Sequence, residues 1–193
     1  MTQPAPLTLE QFFALPPGPP YYELEGGVLI PVARPAGREK RLALYLAPRI
    51  DRYVTEYELG RVWPEIEVVL PGAPRVYAPD IAFLTMAYQA RYSEEHNRIY
   101  GPVDLAVEIV SPATKLRDLT VKLRAYQEAR VPWCWVIDPD EYIVQEYKLI
   151  PEGYLLNQSL PLGPRFAPGL FPGLTLDLAE LLDLNAPQPA TSL

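Results

Sequence analysis

Short apolar runs alternate with charged and proline-rich breaks along this chain, and the spacing inside each run predicts its form. Thr8 and Gln11 make a capping box that opens a short helix over TLEQFFAL, stopped by Pro16-Pro17. YYELEGGVLIPV reads as a hairpin about a Gly26-Gly27 turn. From Gly37 to Leu59, Leu42, Leu46, Ile50, Tyr53 and Tyr57 recur at helical spacing on one face. A long helix is expected there, kinked at Pro48 and stopped by Gly60.

Three strand candidates come next, RVWPEIEVVL (61–70), RVYAPDIAFL (75–84) and VDLAVEIV (103–110). The tyrosine-rich stretch 86–101 divides the last two, part helix and part loop. A helix is expected around 114–130 with Leu119, Leu123 and Tyr126 as its inward stripe, then a buried strand, VPWCWVID (131–138). EYIVQEYKL and GYLLNQSL read as further strands, and FPGLTLDLAELLDL ends in a short helix. A helix joining two buried strands implies a parallel crossover, while the earlier neighbours imply antiparallel pairing. The expected class is therefore α/β (α+β mixed): a mixed sheet flanked by helices in the order α-β-β-β-α-β. With no repeat and no linker, we expect one domain over residues 1–184. Its core is 37–138, with an N-terminal helix and hairpin at 7–32, C-terminal strands and a short helix at 142–184, and a fraying tail at 185–193.

Composition narrows the class. A chain of 193 residues, nearly half apolar, can bury a real core without disulfides or structural metals. No run approaches the ~20 apolar residues that span a bilayer, and MTQPAPLTLE lacks a signal-peptide layout. The single cysteine, Cys134 in WCWVI, reads as a buried reduced thiol. A soluble, cytoplasmic protein that does not enter a membrane is the expectation. The 24 prolines, and arginine outnumbering lysine 13 to 4, suit a heat-adapted protein.

A formal charge of −7 argues against an indiscriminate nucleic-acid coat. The distribution changes that picture: residues 34–52 sum to +4 and residues 111–130 to +3, leaving −14 elsewhere. Both basic stretches fall on the helices expected to flank the third strand. Arg38, Arg41, Arg117 and Arg124 are thus candidate contacts for a phosphate backbone, with a solvated helix face as the competing explanation.

Alternation in 103–110 sets Val103, Leu105, Val107 and Ile109 on one face, and Asp104, Ala106, Glu108 and Val110 on the other. Glu108 therefore points into a partly covered face, where an ionised carboxylate costs several kcal/mol unless a cation or donors meet it. Asp80 follows Pro79, an ordinary turn pairing, but IAFL comes at once and ties the acid to a strand. Asp80, Glu108 and the main-chain carbonyl of Ile109 make a workable ligand set for Mg²⁺ or Mn²⁺. Lys122 falls i, i+4 from Asp118, which by itself suggests a surface ion pair. At 100° per residue it lies about 60° off the apolar stripe, so its stem can follow the core edge to the strand acids, with Asp118 on the polar side. Glu39, in the first turns of the long helix, is an auxiliary acid or a simple dipole partner. The lone His96 has no ligand-spaced partner, and no phosphate-cradling glycine loop is present.

YELEGG, APDIAFL, VDLAVEIVSPAT, RDLTVKLRAY and VPWCWVIDP resemble successive blocks of the Uma-type family, a branch of the PD-(D/E)XK nuclease superfamily. The resemblance covers roughly residues 20–150 and implies a restriction-endonuclease-like core with Asp80 and Glu108 as the motif acids. The superfamily lysine is expected two residues past the glutamate, where this chain has Val110; the resemblance implies that Lys122 takes its place from the next helix. Glu39 stands where related chains often carry a histidine. The expected activity is Mg²⁺- or Mn²⁺-dependent hydrolysis of DNA, with a homodimer in view. The competing readings are a non-catalytic module binding nucleic acid or protein on a nuclease fold, and a small-molecule hydrolase with an apolar pocket at the acids.

Overall fold

The alternating runs build two six-stranded sheets among the described residues, which in this computed structural model are 5–32, 37–163 and 165–182. The tail expected at 185–193 lies outside them. In chain order the elements are α1 (Leu9–Phe13), β1 (Tyr22–Glu25), β2 (Val28–Pro31), α2 (Arg38–Glu56), β3 (Gly60–Pro64), β4 (Glu67–Leu70), β5 (Arg75–Tyr77), β6 (Ile81–Thr85), β7 (Tyr92–Ser93), β8 (Arg98–Tyr100) and β9 (Leu105–Ile109). Then come α3 (Lys115–Arg117), a π-helical turn (Asp118–Lys122), α4 (Leu123–Glu128), β10 (Trp133–Asp138), β11 (Ile143–Ile150), β12 (Gly153–Pro161) and α5 (Leu178–Leu181).

The main sheet runs β12-β11-β10-β9-β6-β3, and β9–β10 is the expected parallel pair, with Glu108 opposite Val136. The pairs β3–β6 and β6–β9 are antiparallel. Helix α2 packs Leu42, Leu46, Ile50 and Val54 against Ile81, Phe83, Leu105, Val107 and Trp135 on one face. Each such buried aliphatic side chain contributes about 1.5–3 kcal/mol by leaving water. On the other face, α4 and the second sheet share a core in which Ala82, Ala106, Cys134 and Val136 meet Val68, Tyr77, Ala125 and Tyr126. Burial raises the Cys134 thiol well above its ordinary pKa, as expected of an inert thiol.

The second sheet, β2-β1-β5-β4-β8-β7, arises because two expected strands each break in the middle. The run 61–70 divides after Pro64, where Glu65 takes a left-handed φ of 48°. The run 75–84 divides at Ala78-Pro79-Asp80, since Pro79 has no amide to continue a ladder. The Glu65 amide donates to the Asp80 carbonyl at 3.2 Å, so the two breaks sit side by side. Past them the chain leaves one sheet for the other, and the sheets part as a fork. The hairpin β1–β2 docks on the second sheet through Leu24 opposite Val76. Its turn uses left-handed φ values at Gly26 (56°) and Gly27 (85°), as a two-residue hairpin loop requires.

Other expectations need correction. In α2 the fifth inward position is Val54; Tyr57, just past the last turn, is exposed and stacks on Tyr53 at 4.7 Å between ring centroids. The stretch 86–101 adds β7 and β8 after a 3-10 turn, and β8 pairs in parallel with β4. The expected helix at 114–130 has the π-helical turn at its centre. A π turn closes i→i+5 bonds and takes up one more residue than an α-helical turn. The inward line is Asp118, Lys122, Ala125, Tyr126 and Ala129, an ordinary helical spacing turned from the expected stripe toward the Asp118–Lys122 side, while Leu119 and Leu123 sit at its margins. Asp118 is buried, not on the polar side, and Lys122 lies at the centre of the stripe, not at its edge.

Two further buried acids serve the fold. Asp104 accepts from the amide and the hydroxyl of Thr85. Glu146 accepts from Trp135 Nε1 (3.0 Å), Asn157 Nδ2 (2.7 Å), Gln158 Nε2 (2.8 Å) and the Gly169 amide (3.0 Å). With that many donors the buried charge is well compensated.

Candidate active site at the fork

Asp80, Glu108, Ile109 and Lys122 converge where the sheets part. Glu108, 3% exposed, is carried inward by β9. Its Oε1 accepts from the Tyr126 hydroxyl at 2.6 Å and its Oε2 from Lys122 Nζ at 3.0 Å. Asp80 sits at the break before β6, and its Oδ2 accepts from the Ile109 amide at 2.6 Å. Strand β6 is paired to β9 only as far as Ile81 opposite Val107, so the Asp80 side chain takes the amide that a longer β6 would have met.

Lys122 is enclosed by acids from three elements. Besides Glu108, its ammonium lies 3.0 Å from Glu23 Oε1, on β1, and 3.5 Å from Asp118 Oδ1. Glu23 is itself fixed: its Oε1 also accepts from the Ala78 amide at 3.0 Å, and Arg117 lies 2.6 Å from its Oε2. Arg117 continues to Glu25. Both cations lie over the Tyr77 ring, with centroid distances of 5.7 Å for Arg117 and 5.8 Å for Lys122.

Burial and charge set the electrostatics. Burial pushes the Glu108 carboxyl up to about 8; Lys122 opposes this, and Asp118, Asp80 and Glu23 add to it. Burial likewise lifts Asp80 to about 6, against the Ile109 amide and Lys122. For Lys122 burial acts downward, but Glu108, Glu23 and Asp118 outweigh it and hold the ammonium well above the ordinary lysine range. Four carboxylates (Glu23, Asp80, Glu108, Asp118) face two cations (Lys122, Arg117), so the cluster carries a negative excess that retains protons and favours added positive charge.

Oxygen is the only ligand type offered, which suits a hard divalent cation such as Mg²⁺. Among the described residues no three His, Cys, Asp or Glu side chains are grouped as a ready ligand shell. Magnesium asks for less, one or two carboxylates with the remaining positions held by water.

The other sequence candidates are placed differently. Arg117 is committed to Glu23 and Glu25. Arg124 is exposed and pairs with Glu128 at 3.2 Å. Arg38 opens α2 and reaches the Tyr142 hydroxyl at 3.1 Å, beyond the end of β10 whose Ile137 pairs with Ile109. Arg41 lies over the Tyr45 ring. Glu39 is half-buried in the first turn of α2 and enters none of the ion pairs among the described residues. Sequence reasoning missed Glu23, Tyr126 and the buried state of Asp118. An acid inside the apolar hairpin run YYELEGG is the same signal that marked Glu108, and it was available.

No helix of the described residues is long and apolar enough to cross a membrane. No curated protein matches the chain. Among solved structures, a putative nuclease from Anabaena variabilis is 24% identical and superposes with a TM-score of 0.75 over 92% of this chain and 99% of its own. That likeness shows the expected fold. The type IIG restriction endonuclease BpuSI is 10% identical over 76% of this chain and 15% of its own, with a TM-score of 0.39, too distant to add weight. The family match extends over residues 9–179, and the chain belongs to the Uma2 family, described as "putative restriction endonuclease".

Proposed function

We propose that this chain is a divalent-metal-dependent nuclease that hydrolyses DNA phosphodiester bonds at the fork. The observation that carries the reading is the buried meeting of Glu108 and Lys122 beside Asp80, with more negative than positive charge around them. A cluster kept only for stability has no need of that excess, since well-packed apolar residues of similar volume serve at least as well. Asp80, Glu108 and the main-chain carbonyl of Ile109 would hold Mg²⁺ or Mn²⁺. When bound, the ion would polarise the scissile phosphate and lower the pKa of a coordinated water.

The remaining work falls to the chain itself. Lys122 orients the attacking water and offsets charge that builds on the phosphate oxygens. Tyr126 holds one oxygen of Glu108, so the other is presented to Lys122 in a fixed direction. Asp80 is the least buried of the four carboxylates and marks the side on which substrate approaches. Arg38, Arg41 and Arg124 are the proposed backbone contacts; Arg117, held by two acids, is assigned to the cluster instead. Glu39 is retained as an auxiliary acid at the opening of α2.

The test is incubation of plasmid and single-stranded DNA with Mg²⁺, Mn²⁺ or EDTA, beside Asp80→Asn and Lys122→Ala. Cleavage is expected with metal only, falling about 100-fold or more in each variant. Metal-independent retardation of DNA without cleavage would replace this reading with a binding module.

A further inference from the structure

We infer that Glu23, supplied by the β1–β2 hairpin of the second sheet, is a positioning residue that sets the place and direction of Lys122; this rests on the nuclease reading above. An ammonium has three donors. Glu108 takes one of them in a hydrogen bond at 3.0 Å, while Glu23, from the opposite sheet, is ion-paired at an equal 3.0 Å and Asp118 lies at 3.5 Å. Lysine is a flexible side chain with a compact point charge, so its direction is set by its surroundings and not by its own stem. Glu108 alone fixes one contact. The second short contact, an ion pair, comes from Glu23.

Glu23 is built to be rigid. One of its oxygens accepts from the Ala78 amide, two residues before Asp80, and the other is ion-paired with Arg117. Charges alternate from the hairpin to the main sheet: Glu25, Arg117, Glu23, Lys122, Glu108. Docking of the hairpin does not require this. Leu24 and Val76 already pack with Phe12 and Val69, and the Arg117 pairs with Glu23 and Glu25 span the same gap. A carboxylate that is 2% exposed and turned onto the candidate lysine is costly as mere fastening, because buried pairs lose in desolvation much of what they gain in attraction. The hairpin is thus part of the site, and the fork is where the two sheets hand over their respective acids.

The experiment compares Glu23→Gln, Glu23→Asp and, as a control, Glu67→Gln, which breaks the Arg98 pair in the same sheet away from Lys122. Glutamine keeps an acceptor for the Ala78 amide and removes the charge. Expected for Glu23→Gln is a tenfold or greater loss of kcat at a KM for plasmid within threefold of wild type. Glu23→Asp keeps the charge and should recover part of the loss. In ¹⁵N-lysine spectra the Lys122 ammonium resonance should move or broaden in Glu23→Gln and stay fixed in Glu67→Gln. Wild-type kcat together with an unmoved Lys122 resonance in Glu23→Gln overturns the inference, as does a loss of the same size in Glu67→Gln. A wild-type protein that cuts no DNA overturns the nuclease reading instead, and the lysine resonance then decides alone whether Glu23 holds Lys122.

Discussion

Replacing Asp80 by Asn separates what this acid does to the fold from what it is proposed to do in catalysis. The oxygen that accepts from the Ile109 amide at 2.6 Å survives as an amide oxygen, so the strand end stays capped while the charge is removed. Burial holds the carboxyl at about 6 against an ordinary 3.8, the attraction of Lys122 already included. An acid raised in this way binds its proton more tightly in the folded than in the unfolded chain, so stability drains as pH rises from 3.8 to about 6 and the deficit is complete above that. At about 1.4 kcal/mol per pH unit of that window, the wild-type protein is short of about 3 kcal/mol at neutral pH, with water penetration reducing the figure. Asp80→Asn should therefore gain about 1–3 kcal/mol near neutral pH, and the gain should shrink toward pH 4. Urea unfolding in EDTA, followed by tryptophan fluorescence at both pH values, measures it as a rise in midpoint at unchanged slope. The reasoning is refuted if the variant is no more stable than wild type near neutral pH, or if the gain persists undiminished in acid. The same variant should lose Mg²⁺-induced stabilisation, which at a hundredfold excess over Kd amounts to about 2.7 kcal/mol for a one-site ligand.

Removing the ammonium with Lys122→Met strands Glu23, Glu108 and Asp118 in the core. It should cost about 3–5 kcal/mol by chemical denaturation and worsen as pH rises, because the acids escape only by protonation. Tyr126→Phe deletes the 2.6 Å hydrogen bond to Glu108; a loss of about 1–3 kcal/mol is expected, with cleavage falling at unchanged DNA affinity in a filter-binding assay. Glu146→Gln turns donors toward donors and should lower the urea midpoint by the equivalent of about 2–3 kcal/mol, while leaving cleavage per folded molecule intact. Gly27→Ala combines a φ of 85° with a new Cβ only 2.4 Å from Pro6 Cβ, so thermal melting should show clear destabilisation.

Much of this was legible in the chain. The hairpin, the capping box at Thr8, the α2 face from Leu42 to Ile50 and the parallel β9–β10 pair stem from local pattern, because one face of each element meets the core. The inward direction of Glu108 comes from simple alternation as well. The features that escape a local reading are non-local. Pro64-Glu65 and Pro79-Asp80 read as blemishes in long strands, yet they are the points where each strand changes sheets. Glu23 lies in a hairpin whose polar face looks free for water in the sequence, and only the approach of α3 and the π-helical turn, with Arg117 and Lys122, encloses it. A uniform 100° step sets Asp118 within about 40° of Lys122; Asp118 falls on the polar side only when the stripe is centred on the apolar Leu119 and Leu123, and a buried ion cluster gives no apolar signal to recentre it.

The widened turn at 118–122 also fixes an address. Deleting a single residue there would restore ordinary α-helical winding and leave the residues downstream facing as they do, whereas deleting one between Lys122 and Tyr126 would carry everything after it about 100° around the axis. Tyr126 would swing off Glu108, and the segment would present a different line of side chains to the sheet. Insertions and deletions that a surface helix normally tolerates would therefore abolish the proposed cleavage without touching any charged group, and a search keyed to fixed acid-to-lysine spacing along one strand would pass over the proposed site.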